Sequence, residues 1–284
     1  MKDIHIVRYF SSLITISNGK VAKVTKPTIS YCPLARFLYG GIKESAGLST
    51  TQLKAKIKKA IEEKITRYGF CTKDRILWKD EAVIPYGASE ILAYGLKSKA
   101  IDSVVTVCDG AGTVITAVPQ IVQGIGARMH TMLKTSHIPE VAIKLLRYGC
   151  HVLDEKGLIN QTAGVVEAAK KGYKKIAVTV NAFGEESLEN ARALEGRFGI
   201  SLAILVVCTT GIKKDRLNEI EKYADIVWSC NSNDIRDRLG KKTLEVLSNV
   251  SPVYVLTENG KRLVSGYTPN IFGMRKEIER SVVS

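Results

Sequence analysis

Six cysteines are the residues of this sequence that could do the most varied chemistry. A thiolate can act as a nucleophile, or it can bind zinc or an iron–sulfur cluster. Cys108, Cys208 and Cys230 each end a run that is typical of a strand. Cys32 and Cys71 lie in loop-like settings, where a side chain can turn toward a ligand. The candidate metal ligands are Cys32, Cys71, Cys108 and Cys230.

Two observations leave the role of each thiol open. The sequence contains no Cys-x-x-Cys pair, and free cysteine is among the residue types most often buried, so inert packing is the alternative at each position. The start of the sequence lacks a long apolar run followed by a small-residue cleavage site, so it shows no secretory signal. We therefore expect a cytoplasmic protein that keeps its cysteines as thiols, metal ligands or reactive groups.

A glycine-rich turn follows the first of these strands, with Gly110 and Gly112 as its glycines. Successive N–H groups of such a turn can bind a phosphate or a carboxylate, and the Thr113 hydroxyl adds a donor. Asp109 stands where a strand-end acid can transfer a proton, so Cys108 and Asp109 are the candidate catalytic residues. A tight turn capped by Asp109 is the alternative.

A second glycine pair, Gly124 and Gly126, precedes Arg128, whose guanidinium could bind an anionic group or lie on the surface. These three residues join Gly110, Gly112 and Thr113 as candidate ligand-binding residues. Neither glycine pair matches the dinucleotide fingerprint or a Walker loop, which need further glycines or a lysine at fixed offsets. His130 could act as a general base, and a structural histidine is the alternative.

The elements that would position these residues are clearest after residue 150, where strands and helices alternate. Strands such as 203–207 are apolar on both faces, as parallel strands covered by helices require. The pattern predicts an α/β fold with a Rossmann-like, doubly wound, mainly parallel sheet, whose ligands bind beyond the carboxyl ends of the strands. The predicted strands are 150–153, 176–180, 202–208, 225–230 and 252–256, and the predicted helices are 162–171, 185–198, 213–224, 234–239 and 258–267.

Before residue 150 the pattern is less regular. Asn18-Gly19 between alternating runs predicts a β-hairpin within residues 4–30. Ser49 and Gln52 have capping-box spacing, so a helix should begin there and end at Gly69. We expect an α+β N-terminal domain over 1–149 and a Rossmann-like domain over 150–284. The other elements predicted here are a helix over 88–97, strands over 103–107 and 114–118, and a helix from 139 to about 149, with 122–133 ambiguous.

Composition excludes several classes of protein. Hydrophobic residues at 45% and charged residues at 25% are typical of a globular protein, not of a disordered chain or a disulfide scaffold. No run approaches the roughly 18 apolar residues of a membrane span. The sequence has no Gly-x-Ser-x-Gly elbow, which disfavours a serine hydrolase.

The net charge of +14 raises the question of a polyanionic partner. Much of the excess lies on the helix after Ser49, without the interleaved aromatic residues that stack on single strands, so a solvated basic face is favoured over nucleic-acid binding. An acidic protein partner could bind this face. Its basic residues are Lys54, Lys56, Lys58, Lys59, Lys64 and Arg67.

Several segments together resemble the methanogenesis marker protein 8 family. The resemblance covers nearly the whole chain and implies a role in archaea that make or oxidise methane, in an anaerobic cytoplasm where exposed thiols and oxygen-sensitive clusters persist. It implies no catalytic residues. The segments are YCPL at 31–34, GFCT at 69–72 with DR at 74–75, GASEIL at 87–92, CDGAGTV at 108–114, VQGIG at 122–126, IPEV at 138–141, GYKKIAVTV at 172–180 and ADIV at 224–227.

These observations lead to two functional hypotheses. The first is an enzyme or maturation factor of methane metabolism that binds an anionic small molecule, zinc or an iron–sulfur centre at a cysteine-lined cleft between the two domains. The second is a non-catalytic assembly or scaffold protein that binds an acidic protein partner through the basic helix.

Overall fold

The computed structural model describes residues 3–29, 32–33, 47–127, 129, 131–248 and 251–269. It has an α/β fold with two sheets, one of four strands and one of eight, which confirms the predicted fold class at that level. Within the described residues, no helix has the length and apolar character needed to cross a membrane.

The four-stranded sheet is antiparallel and has the order β3-β2-β1-β6. The predicted turn at Asn18-Gly19 joins β2 to β3, with both residues at positive φ, as a tight hairpin turn requires. Phe10 and Ser11 make a second turn at φ 50° and 56°, which joins β1 to β2 without any glycine to signal it. The strands are β1 (His5–Tyr9), β2 (Ser12–Ser17), β3 (Lys20–Val24) and β6 (Thr131–Lys134).

Helix α1 (Thr50–Tyr68) packs against this sheet. The capping box forms as predicted, because Gln52 N donates to Ser49 Oγ at 3.2 Å and Ser49 N donates to Gln52 Oε1 at 2.8 Å. The helix ends at Gly69, whose φ is 64°. Apolar residues of helix and sheet form one core cluster, which includes Val7, Ile14, Ile16, Leu53, Ile57 and Ile61.

One residue of the expected basic face is not on the surface. Lys64 is 3% exposed, and its Nζ lies 3.7 Å from the centre of the Phe70 ring. Lys58, Lys59 and Arg67 are exposed, as predicted. The basic face of α1 is therefore smaller than the count of lysines indicates, because the turn after Gly69 folds an aromatic ring back under the helix.

The eight-stranded sheet has the order β11-β12-β10-β9-β8-β4-β5-β7. Its four central strands are parallel, and the strands on either side of them are antiparallel. The strands are β4 (Ser103–Cys108), β5 (Gly112–Thr116), β7 (His151–Val152), β8 (Lys175–Asn181), β9 (Ser201–Val207), β10 (Ile226–Trp228), β11 (Glu245–Val246) and β12 (Val253–Val255).

Helices cover both faces of this sheet. They are α2 (Ala88–Lys97), α3 (Pro119–Gly126), α4 (Pro139–Arg147), α5 (Gln161–Lys170), α6 (Leu188–Phe198), α7 (Lys214–Tyr223), α8 (Asn233–Leu239) and α9 (Glu258–Val264). Helices α5 to α8 pack on one face, and α2, α3 and α9 pack on the other, so the central strands are buried on both sides as their apolar sequences predict. Helix α4 packs beside the β4–β5 hairpin.

The large sheet corrects one prediction. Among its described strands, three of the seven pairings are parallel, so the sheet is mixed, not mainly parallel. The reason is that the glycine turn makes β5 a hairpin partner of β4, and β12 pairs antiparallel with β10. Strands from both sides of residue 150 share the sheet, and the domain division near that residue stays a prediction.

Glycine allows α3 to pack closely against its neighbours. A Cβ added to Gly124 would lie 1.7 Å from the Leu77 carbonyl oxygen, whereas one added to Gly196 in α6 would meet nothing within 4 Å. We expect Gly124→Ala to lower the free energy of unfolding by about 1–3 kcal/mol, because the backbone at Leu77 must move to make room for the added methyl group. Gly196→Ala should raise it by about 0.5–1 kcal/mol, because alanine favours the helix interior. Urea unfolding followed by circular dichroism measures both, and equal shifts would contradict the close packing.

Candidate functional site

A cavity of about 160 Å³ lies at the carboxyl ends of the four parallel strands. Val107 of β4, Asn181 of β8, Val207 of β9 and Trp228 of β10 line it. Open α/β sheets bind ligands at this position, because loops and helix N-termini converge beyond the strand ends. The cavity therefore lies where the strand pattern predicts a ligand site.

Elements outside the parallel strands close the cavity. The N-terminus of α2 contributes Gly87 and Ser89, the residue after α3 contributes Ala127, and β6 of the small sheet contributes Thr131 and Met132. The cavity is thus walled by both sheets. Most of its wall is apolar, with a few polar side chains that could orient a ligand, as in most small-molecule sites.

Gln161, the first residue of α5, is a polar side chain of the cavity wall with unused hydrogen-bonding capacity. It is 3% exposed and lines the cavity. Its Nε2 donates to the Thr179 carbonyl oxygen at 3.0 Å, but its Oε1 accepts no hydrogen bond from the described residues. A buried acceptor without a donor costs about 1–3 kcal/mol. A ligand N–H or O–H would remove that cost.

Glu90, by contrast, is a cavity-wall carboxylate whose hydrogen bonds are largely made within the protein. It is 1% exposed. Its Oε1 accepts from Val83 N at 2.8 Å and from Gln123 Nε2 at 2.9 Å, and its Oε2 accepts from Ser89 Oγ at 2.8 Å. The carboxylate also lies at the N-terminus of its own helix, where the helix dipole favours negative charge.

Two thiols line the same cavity. Cys208 directly follows β9 and Cys230 follows β10, and both residues are partly exposed. Their φ angles are 61° and 47°, a left-handed conformation that costs a non-glycine residue about 1–3 kcal/mol. Cysteine at both positions is therefore held by the surrounding structure in spite of local strain, as is common at functional sites.

The two thiols have different electrostatic surroundings. Desolvation raises the pKa of Cys230 to about 12, and the neighbouring Cys208 and Cys32 add to the shift, although the backbone N–H groups of Thr209 and Cys208 act against it. Desolvation also raises the pKa of Cys208, but Thr131 and the Arg8 guanidinium act against this shift. Burial therefore disfavours both thiolates, and Cys208 is the thiol that has a cation, Arg8, among its neighbours.

Arg8 of β1 lies at the boundary between the two sheets. Its Nη2 donates to the Thr210 carbonyl oxygen at 2.9 Å and to Ser11 Oγ at 2.6 Å. Its Cζ lies 3.7 Å from the centre of the Phe183 ring. These contacts fix a positive charge near Cys208 and tie the small sheet to the loop after β9. The sequence gives no local signal for this role, because Arg8 and Thr210 are far apart in the chain.

The predicted catalytic residues lie outside the described cavity lining. Asp109 is fully buried, accepts from Cys71 N at 2.6 Å, and forms an ion pair with Arg75 Nε at 2.9 Å. Cys108 and Cys71 are also fully buried beside it, and burial raises the pKa of both thiols well above the ordinary value. The carboxylate of Asp109 is therefore engaged in holding the fold at this point.

The four predicted metal ligands fall into two groups. Cys71 and Cys108 lie together near Asp109, whereas Cys32 and Cys230 interact electrostatically near Cys208. Across the described ranges, no group of three or more histidine, cysteine, aspartate or glutamate side chains could hold a metal ion. Cys208, which is not among the predicted ligands, is the thiol that the fold adds to the cavity.

The glycine turn has its backbone donors occupied within the protein. Gly110 N donates to Thr135 Oγ1 at 2.8 Å, Thr113 N donates to the Leu158 carbonyl oxygen at 2.9 Å, and Thr113 Oγ1 accepts from Asn160 N at 2.8 Å. A Cβ on Gly112 would lie 2.4 Å from the Leu158 carbonyl oxygen. This geometry fits the tight-turn alternative, in which the glycines allow neighbouring backbone to approach.

The second glycine pair belongs to α3. Gly126 lines the cavity, and the Gly124 carbonyl oxygen accepts from Arg75 Nη2 at 3.1 Å. Arg128 and His130, the predicted anion-binding and general-base residues, lie outside the described residues.

The buried ion pair predicts a large mutational effect. We expect Arg75→Met to lower the free energy of unfolding by about 3–5 kcal/mol, because it leaves the Asp109 carboxylate buried and unpaired. Lys79→Met is the matched control. Lys79 forms an ion pair with Glu81, which is 75% exposed, so Lys79→Met should lower the free energy of unfolding by less than about 1 kcal/mol. Similar losses in the two variants, measured by urea unfolding, would contradict a structural role for Arg75.

A buried histidine beside the glycine turn predicts a pH dependence. His5 is fully buried, its Nδ1 lies 2.7 Å from Thr135 Oγ1, and desolvation lowers its pKa from the usual 6.5. Below about pH 6.5 the unfolded chain therefore binds a proton that the folded chain excludes. Stability should fall as the pH is lowered through this range, by at most about 1.4 kcal/mol per pH unit from this group. We expect His5→Gln to remove this contribution to the pH dependence of the free energy of unfolding, measured by urea unfolding at several pH values between about 5.5 and 7.5. The same pH dependence in the variant and the wild type would contradict the prediction.

Comparison with known proteins places the chain in a family. A family model described as "Uncharacterized protein conserved in archaea (DUF2099)" matches residues 5–267. "Uncharacterized protein MJ0054" of Methanocaldococcus jannaschii is 39% identical over 256 residues, which cover 88% of this chain and 85% of that protein. No solved structure matches the chain. The chain therefore belongs to the DUF2099 family of proteins conserved in archaea.

Proposed function

We propose that this protein binds a small organic molecule in the strand-end cavity, as an enzyme or maturation factor of methane metabolism. The observation that carries the proposal is the buried Gln161 Oε1, an acceptor without a donor in the wall of a cavity at the carboxyl ends of parallel strands. The methanogen relative and the resemblance to the methanogenesis marker protein 8 family support the metabolic setting.

The size of the cavity supports a ligand, or part of one, as large as a single ring. An engineered cavity of roughly 150 Å³ in another protein holds a benzene molecule. At about 160 Å³, the strand-end cavity has similar room. Its apolar wall suits the faces of such a ring, while Gln161 offers an acceptor to an N–H or O–H group at the ring's edge.

The charge of the lining supports a neutral or cationic ligand rather than the anion expected from the glycine turn. Among the described lining residues, Glu90 carries a carboxylate and no lysine, arginine or histidine is present. An anion placed beside Glu90 would be repelled by its carboxylate, because the positive charge of Arg8 lies outside the described lining, near Cys208. A ligand with an amide or ammonium group avoids that repulsion and can donate to Gln161.

Three probes of one ring size test the proposal: benzamide, benzylamine and benzoate. We expect benzamide and benzylamine to bind in saturation-transfer NMR titrations and benzoate to bind more weakly. Ala127→Leu should abolish binding, because its side chain fills the cavity. Ala55→Leu on the exposed face of α1 is the matched control and should bind as the wild type does. Failure of all three probes, or binding that survives Ala127→Leu, would contradict the proposal.

The acceptor itself has a separate test. Gln161→Met removes Oε1 and keeps similar bulk, so it should weaken benzamide binding about tenfold, the effect of one lost hydrogen bond. Toluene, which has no hydrogen-bond donor, should bind the variant as well as it binds the wild type. Equal loss for both probes would show that the substitution changes the shape of the cavity and that Oε1 does not select the ligand.

A further inference from the structure

We propose that Cys208 and Cys230 form a reversible dithiol–disulfide pair, which is oxidised by organic disulfides and reduced by thiols. This proposal does not depend on whether a ligand binds in the cavity. Both thiols line the cavity, so small molecules that enter it can reach them. It differs from the metal site expected from the sequence, because it uses Cys208 and needs two sulfur atoms, not four.

Strand pairing brings the two residues together. Strands β9 and β10 are parallel neighbours, with Leu205 paired to Ile226 and Val206 paired to Val227. Continuing this register by two residues places Cys208 beside the residue that precedes Cys230. The side chains of both cysteines line the same cavity. Adjacent strand ends are thus the geometric basis of the pair.

Contacts at the sulfur of Cys230 support the same placement. The Cys230 sulfur interacts electrostatically with the Cys208 thiol and with the backbone N–H groups of Cys208 and Thr209, so it lies close to the backbone that carries the other thiol. A disulfide requires Cα atoms roughly 4.4–6.8 Å apart, a separation that neighbouring strands provide. Both residues already have the left-handed backbone that turns their side chains out of the strand direction.

The exchange proceeds in two balanced steps. Cys208, the thiol beside the Arg8 guanidinium, loses its proton to solvent, and its thiolate attacks one sulfur of the organic disulfide. The first organic thiolate leaves and takes a proton from solvent. Cys230 then loses its proton to solvent and attacks the Cys208 sulfur, and the second organic thiolate leaves and takes a proton from solvent. The protein loses two electrons and two protons, and one organic disulfide becomes two thiols.

The other cysteines are poorly placed for this reaction. Cys71 and Cys108 are fully buried, and Cys150 is 5% exposed with its Sγ 3.2 Å from Thr116 Oγ1. Cys32 interacts electrostatically with Cys230 and is the competing partner. The position of the disulfide therefore distinguishes the proposed pair from any alternative.

The test uses the full-length protein, purified without oxygen and incubated with bis(2-hydroxyethyl) disulfide in the absence of any cavity ligand. We expect the mass to fall by two hydrogen atoms, and peptide mapping under non-reducing conditions to show one disulfide, between Cys208 and Cys230. Addition of dithiothreitol should restore both thiols. The same protein in urea is the control that shows the reagent is active.

Variants identify the order of the steps. Cys230→Ser should stop at a mixed disulfide on Cys208, whereas Cys208→Ser should form no internal disulfide, and Cys150→Ser should behave as the wild type does. A disulfide mapped to another pair, mixed adducts alone in the wild type, or folded protein that stays unreacted while the urea sample reacts would overturn the proposal. None of these results bears on the benzamide titration, so the two proposals fail separately.

Discussion

The fully buried carboxylate of Asp109 imposes the constraint on which the other parts of the site depend. An unpaired charge at that depth would be strongly destabilising, so Arg75 must be drawn in to meet it. The same guanidinium donates to the carbonyl oxygens of Gly124 and Ile125. One ion pair thus ties the β4–β5 hairpin to the turn after α1 and to the end of α3, whose last residues wall the cavity.

A second set of contacts joins the two sheets around that cavity. Thr135, just after β6, interacts with His5 of β1 and accepts from Gly110 in the glycine turn, and Arg8 reaches the loop after β9. Among the described residues, the glycine turn and Arg8 therefore act as structural connections between the two sheets. What they leave between the sheets is an apolar space with one unsatisfied amide oxygen and two strained cysteines.

Features determined by neighbouring residues were predictable from the sequence. The capping box at Ser49 and the stop at Gly69 specify α1, and the apolar runs specify the central parallel strands. The type of each outer pairing was not predictable, because it depends on which strand edge is available in space. The turn at Phe10 and Ser11 was also not predictable from the sequence, since neither residue is of a type that usually takes positive φ.

From sequence alone, the chain is an α/β protein whose ligand site should lie where parallel strands end, because side-chain periodicity and strand direction are local properties. Only the tertiary structure decided which thiols occupy that site. Cys71 and Cys108 are buried beside Asp109, whereas Cys208 and Cys230 line the cavity. The physical reason is that burial and strand order are set by contacts between distant segments, which spacing along the chain does not record.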